Sequence, residues 1–268
     1  MQVPRLLTAP PLPVAGDAWA LFLDVDGTLL PFQERPEQVQ VTPALKSLLE
    51  ALYQRLDGAL ALVSGRPVEE LQALFGDPAW PLAGLHGLQL KLPDGRLRQT
   101  PVKPESIRQL RHSARRLADD LPGVRLEDKE IAVALHCRAA PARYEALLAA
   151  CEQAVQALPG FELQPGNLVV EIKPSAMKKG HAVQSLMEVH PFLGRRPVYL
   201  GDDLTDEHAF ATVNLENGIT TRVGIREPTL AQFALRDPVD VQAWLNRLLD
   251  IIVQGDPLYA RHPTGRTH

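Results

Sequence analysis

Short apolar runs alternate with stretches of helical periodicity along most of the chain, the pattern of a parallel sheet covered by helices on both faces. Ala20-Leu21-Phe22-Leu23 reads as a buried strand. The spacing predicts a helix over 43–55, with Thr42 as its N-cap and Pro43 at the first helical position, where no N–H is needed. Ala59 to Val63 is a second buried strand, followed by helix signals from Pro67 to Phe75 and a short strand at 81–84. Much later, Pro197-Val198-Tyr199-Leu200 is another apolar strand, and Thr205 is expected to cap the helix after it. Lys178-Lys179 opens a further helix just upstream of that strand.

The middle of the chain has a different rhythm. Between about 100 and 174 the order is helix (104–120), strands (124–127 and 131–136), helix (141–158), strands (161–163 and 168–172). Helix-strand-strand repeated twice suits an antiparallel sheet with helices on one face. The expected fold is therefore α/β: a Rossmann-like, doubly wound parallel-sheet core from residues 1–99 and 175–268, with an α+β cap domain inserted at 100–174.

Composition narrows the function classes. The 268 residues suffice for a hydrophobic core without disulfides, and Cys137 and Cys151 have no metal or redox spacing, so a reducing cytoplasm is the expected location. A net charge of −4 argues against a nucleic-acid partner, and Arg108, Arg111, Arg115 and Arg116 read as the solvated face of a helix. Prolines 4, 10, 11 and 13 interrupt the start, which excludes the continuous apolar core of a secretion signal, and no run is long enough to span a membrane. Residues 261–268 lack an apolar pattern and are expected to be a mobile tail.

Candidate chemistry sits at the strand ends. Asp24 and Asp26 follow the first strand, Ser64 the second, and Gly201-Asp202-Asp203 the later one. Parallel strands bring their C-terminal ends to one edge, where ligands of open α/β sheets bind. The plain alternative is a surface turn rich in Asp and Gly for conformational reasons. Convergence of several such ends favours a site, and Lys179 adds a cation to it. Phosphoryl transfer through a carboxylate nucleophile wants this set, because two anions repel unless a hard cation and a lysine reverse the local field.

Asp24-Val-Asp-Gly-Thr28, Ser64-Gly-Arg66, Lys179-Gly180 and Gly201-Asp-Asp-x-Thr-Asp-Glu207 resemble the four ordered motifs of the haloacid dehalogenase superfamily of phosphohydrolases. The resemblance implies Asp24 as the nucleophile that becomes an aspartyl-phosphate and Asp26 as general acid and then base. It further implies Mg²⁺ held by Asp24, the backbone carbonyl of Asp26 and Asp202, with Ser64 on a phosphate oxygen. Lys179 would offset charge, Lys178 would face solvent, and Asp203 and Asp206 would stand behind these groups. Asp206 and Glu207 also suit a helix N-terminus on electrostatic grounds alone, and Thr28 suits a turn.

Within that superfamily the chain is similar to the trehalose-6-phosphate phosphatases, in Leu85-His86-Gly87, Glu127-Asp-Lys129, His136-Cys-Arg138 and Val170-Glu171-Ile-Lys-Pro174 besides the Asp-rich segment. The small molecule implied is trehalose 6-phosphate, with Arg66, Glu127, Lys129, Glu171 and Ser64 as substrate contacts. Alternation in 168–172 puts Glu171 opposite Leu168, Val170 and Ile172, and Glu127 and Lys129 flank a hairpin turn that could equally be a solvated tip. His86 either approaches the site or pins a loop, His136 lies on the polar side of its strand, and Arg66 either touches substrate or caps the strand end. One departure from the family is the apolar turn Leu29-Leu30-Pro31. Without a glycosyltransferase-like domain the chain is expected to be a stand-alone, monomeric phosphatase. The rivals are the same chemistry on sucrose phosphate or mannosyl phosphoglycerate, and a phospho-accepting signalling or binding module.

Overall fold

The fold is that of a computed structural model, which describes residues 8–14, 16–32 and 39–255. The expected tail at 261–268 and most of the proline-interrupted start lie outside the described residues. The chain divides into two compact units, residues 1–99 with 178–268 and residues 100–177.

The first unit begins with β1 (Trp19–Leu23), α1 (Pro43–Arg55), β2 (Leu60–Val63), α2 (Val68–Phe75), β3 (Leu82–Gly84), β4 (Gln89–Lys91) and β5 (Leu97–Gln99). The second contains α3 (Pro104–Asp120), β6 (Arg125–Asp128), β7 (Val133–His136), α4 (Tyr144–Gln156), β8 (Phe161–Gly166) and β9 (Val169–Pro174). The chain then returns to the first unit with α5 (Lys179–Met187), β10 (Arg196–Gly201), α6 (Glu207–Leu215), β11 (Ile219–Val223), β12 (Phe233–Leu235) and α7 (Pro238–Gly255).

Local chemistry explains these elements. Thr42 Oγ1 accepts from Leu45 N at 3.2 Å and starts α1, whose Leu45, Leu48, Leu49 and Leu52 are buried. Every residue of β1 and β2 is buried, as in a sheet covered on both faces. The strand order is β12-β11-β10-β1-β2-β3-β4-β5, parallel from β12 to β3 and antiparallel at β4 and β5. The chain winds outward from β1 on one side and, after the insert, from β10 on the other. The β1/β10 boundary is therefore the point where the winding reverses, and the register pairs Leu23 with both Leu62 and Leu200. The residues following these three positions consequently share one edge of the sheet.

Three details add to the sequence expectations or differ from them. Asp203, not Thr205, caps the helical segment after β10, in a reciprocal box with Asp206, and Thr205 is buried. The apolar turn after Asp26 is not a solvent loop. Leu29 and Leu30 are buried, and both of their N–H groups reach Val25 O at 2.9 Å. Finally, β4, β5, β11, β12 and α7 extend the core beyond the elements expected from the sequence.

The insert is a four-stranded antiparallel sheet, order β6-β7-β9-β8, with α3 and α4 on one face. Its core includes Leu110, Ala114, Val133, Leu135, Leu147, Cys151, Val170 and Ile172. Strand alternation turns the intervening residues to the other face, where Glu127, Ala134, Glu171 and Gln164 stand level across the four strands. Cys137 and Cys151 are both free and buried. Among the described residues no helix is long and apolar enough to cross a membrane.

Candidate active site

Asp24 remains in the ladder through its backbone, with N to Leu200 O at 3.0 Å, so its carboxylate is projected from a fixed strand end. Lys179, the first residue of α5, places Nζ 2.6 Å from Asp24 Oδ1 and 2.6 Å from Asp206 Oδ1. Asp206 is fully buried and also accepts from Tyr199 OH at 2.7 Å and from Asp203 N at 2.9 Å. These contacts fix the lysine between two acids, all three almost wholly buried.

Asp24, Asp202 and Asp206 offer carboxylate oxygens within 4.8 Å of one another. Asp24 Oδ2 is buried and has no hydrogen-bond partner among the described residues. Gly27 has φ +85°, and a Cβ there would collide with the Asp202 carboxylate. An orphaned buried oxygen, neighbouring acids and a glycine that makes room for them fit a hard cation bound by oxygen. The donor set could thus hold a metal ion. Asp206 already carries three partners, which leaves Asp24 and Asp202 as the available carboxylates, and Thr28 Oγ1 lies 3.5 Å from Asp202 Oδ1.

The electrostatics follow from this crowding. Burial, reinforced by Asp206 and Asp202 and opposed by Lys179, holds the Asp24 carboxyl well above the ordinary range. Burial and the charge of Asp206 push Asp202 up to about 6. For Lys179 burial works against the charge, but Asp206 and Asp24 outweigh it and keep the ammonium protonated far above its usual value. Tyr199 is raised by burial and by Asp206, so its hydroxyl remains a donor.

Asp26 takes a different partner. Arg66 Nε and Nη2 meet its two oxygens at 2.7 Å each, a bidentate fork in which both side chains are only partly exposed. Ser64 is buried and its Oγ accepts from Arg66 N at 3.1 Å. His86 lies against Gly65, and its N donates to Ser64 O at 2.9 Å while Leu85 N donates to Arg66 O at 3.0 Å. This geometry makes His86 part of the loop that braces the Ser64–Arg66 turn. Lys178 is half-buried rather than solvent-facing.

On the open face of the insert's sheet, Glu127 Oε2 is 2.8 Å from His136 Nε2, and Lys129 Nζ is 3.5 Å from Glu171 Oε2. Lys129 spans β7 to reach β9 past two small residues, Ala132 just before β7 and Ala134 within it. The structure thus brings Glu127, Lys129, His136 and Glu171 together. Lys173, their neighbour in sequence, is buried and donates to Met177 O at 3.2 Å. Arg111 does not belong to the solvated face expected for it, because it is paired with Asp128.

The model of the family described as trehalose-phosphatase matches residues 22–238. The chain belongs to the trehalose-phosphatase family. It is 39% identical over 248 residues to the trehalose-6-phosphate phosphatase of Escherichia coli strain K12, covering 92% of each chain. It is 43% identical over 209 residues, 78% of each chain, to a probable trehalose-phosphate phosphatase of Sinorhizobium fredii. The C-terminal domain of the C. albicans trehalose-6-phosphate phosphatase shares the fold, with a TM-score of 0.72 at 21% identity over 88% of this chain and 93% of that one. Membership makes the chain a phosphoric monoester hydrolase.

One member of this trehalose-phosphatase site and one pairing within it escaped the sequence reading. Tyr199 was counted as one more apolar residue of β10, although a tyrosine in a fully buried run must find a partner for its hydroxyl. The pairing of Arg66 with Asp26 joins residues forty positions apart, and only the neighbouring β1 and β2 bring them together.

Proposed function

We propose that the chain hydrolyses trehalose 6-phosphate to trehalose and phosphate through a phosphate ester on Asp24. The observation that carries this reading is the buried Asp24 itself, with one oxygen held by Lys179 and the other without a hydrogen-bond partner among the described residues. Asp24 attacks phosphorus, the bond to the sugar O6 breaks, and Asp26 gives that oxygen a proton. Asp26 then takes a proton from the water that splits the aspartyl-phosphate, which returns both acids to their starting states. A magnesium ion held by Asp24, Asp202 and the Asp26 carbonyl supplies, when bound, positive charge against the phosphate and the clustered carboxylates.

Arg66 has a place in this sequence. Its fork holds Asp26, and an entering phosphate offers it a second bidentate acceptor. That exchange frees both Asp26 oxygens, one of which takes up from solvent the proton that it then gives to the sugar O6. Ser64 binds another phosphate oxygen. Lys179 stays where Asp206 holds it and offsets the charge that gathers on Asp24.

The insert acts as the cap of the hydrolase core and supplies the sugar contacts Glu127, Lys129 and Glu171. Mixed acceptors and a donor suit hydroxyl-rich rings, since each hydroxyl both gives and takes a hydrogen bond. Two free buried thiols suit a reducing, cytoplasmic location.

Phosphate release from trehalose 6-phosphate, sucrose 6-phosphate and glucose 6-phosphate, each with magnesium and with EDTA, tests the proposal. The trehalose ester should be preferred by at least about tenfold in kcat/KM, and EDTA should stop turnover. Equal rates on the three esters would overturn the substrate, and full rates in EDTA would overturn the metal.

A further inference from the structure

Lys129 sits at the tip of the β6–β7 hairpin, and the residues on either side of it are both held by Arg111. Arg111 Nη2 donates to Glu130 O at 2.8 Å, and Arg111 Nε lies 2.8 Å from Asp128 Oδ2, an ion pair rather than an aligned hydrogen bond. Asp128 Oδ1 in turn accepts from Glu130 N at 3.0 Å. Glu130 has φ +66°, a left-handed conformation that a non-glycine residue adopts only where its surroundings impose it. The backbone contacts of the turn, Lys129 N to Ala132 O and Ile131 N to Lys129 O, close it around the same residue.

The two faces of the sheet make this arrangement directional. α3 packs against the apolar face, with Leu110 and Ala114 buried in the insert's core. Alternation along β6 turns Asp128 toward the helix side and leaves Glu127 and Lys129 on the open side. Arg111, next to Leu110 on α3, therefore grips the hairpin from behind and keeps clear of the open face. Its guanidinium suits the task, because a planar fork takes a carboxylate and a carbonyl at once.

We infer that Arg111 is a positioning residue for sugar recognition: it fixes the hairpin tip so that Lys129 is presented to the disaccharide, without itself touching substrate. This rests on the proposal that Glu127, Lys129 and Glu171 bind the sugar. A small aryl phosphate has no second ring to recognise and is indifferent to the tip.

The test compares Arg111→Met, Arg111→Lys, Asp128→Asn, Lys129→Ala and the double variant Arg111→Met/Lys129→Ala, with KM and kcat for trehalose 6-phosphate and for p-nitrophenyl phosphate. Arg111→Met should raise KM for the disaccharide ester roughly fivefold and leave p-nitrophenyl phosphate hydrolysis within about twofold. Asp128→Asn should follow it in direction, and Arg111→Lys should recover part of the loss. On the Lys129→Ala background, Arg111→Met should add almost nothing, since it acts through a side chain already gone. An unchanged KM in Arg111→Met, equal losses on both esters, or full additivity in the double variant would overturn the inference. If Lys129→Ala alone leaves the disaccharide KM unchanged, the reading of the open face fails first and takes the role of Arg111 with it. Should Arg111→Met fail to fold, Arg111→Lys and Asp128→Asn decide the matter on the same two substrates.

Discussion

Asp24, Lys179 and Asp206, which meet beside the ends of β1 and β10, are almost wholly buried, whereas the acids and lysine on the open face of the insert are partly in water. Side chains of Lys179 and Asp206 are 3% and 0% exposed, against 42% and 20% for Lys129 and Glu171. The contacts differ in the same sense, 2.6 Å in the core and 3.5 Å in the insert. A buried ion pair is fixed by the penalty for separating it, since either partner alone would be an uncompensated charge. A half-exposed pair is screened and contributes little to stability. The core therefore has its charges set before substrate arrives, and the insert's groups can exchange each other for hydroxyls with little loss. Chemistry and recognition are held to different tolerances.

That contrast is open to test at several scales. The largest effect belongs to the strand-end acids. Asp24→Asn should abolish phospho-enzyme formation, and Asp26→Asn should bind substrate with near-normal affinity while losing roughly 10²–10⁴ in turnover. Single-turnover measurements decide this, and near-normal rates in either variant would remove the assigned chemistry. Next, Lys179→Met should cost about 3–5 kcal/mol of stability in metal-free protein, because it strands two buried acids, and Lys129→Met less than about 1 kcal/mol. Urea melts of the two variants measure the difference directly, and equal losses would erase the distinction between the regions.

A smaller effect follows from pH. Asp202 is raised to about 6 in the folded metal-free protein and titrates near 3.9 when unfolded, so its protonation stabilises the fold below pH ~4. This contribution is lost as pH rises through about 6. Magnesium needs the deprotonated carboxylates, so it should raise the melting temperature by several degrees more at pH 7.5 than at pH 5. An equal shift at both values would place the ion elsewhere. The smallest change should come from Glu171→Ala, with KM for trehalose 6-phosphate up roughly tenfold, kcat reduced, and less effect on an aryl phosphate. Equal effects on both esters would make Glu171 structural.

The core was legible wherever a buried strand ended in a polar residue. β1, β2 and β10 are apolar without interruption, and Thr42-Pro43 marks the start of α1 at the first residue of the helix. β4 and β5 were not legible, because three residues are too few to show a period, and Leu97-Arg98-Gln99 is exposed throughout. The capping role of Asp203 was missed for a different reason. Asp203, Thr205 and Asp206 are all good capping types, and only backbone geometry decides between them. In the insert, alternation correctly turned Glu171 away from Val170 and Ile172. It is silent about Arg111, since a guanidinium on a basic helix face looks the same in sequence whether it meets water or a carboxylate on another element.

Gly180 shows how narrow the core's tolerance is. It stands in the first turn of α5, where a Cβ would sit 2.6 Å from His208 O and against the Thr212 hydroxyl of α6. The two helices can lie this close only because that position has no side chain. Lys179 is the adjacent residue, so the gap between the helices is also the gauge that sets where its ammonium stops. A single methyl at 180 would act as a wedge one residue from the lysine, lifting it from Asp24 and Asp206 without altering any charged group.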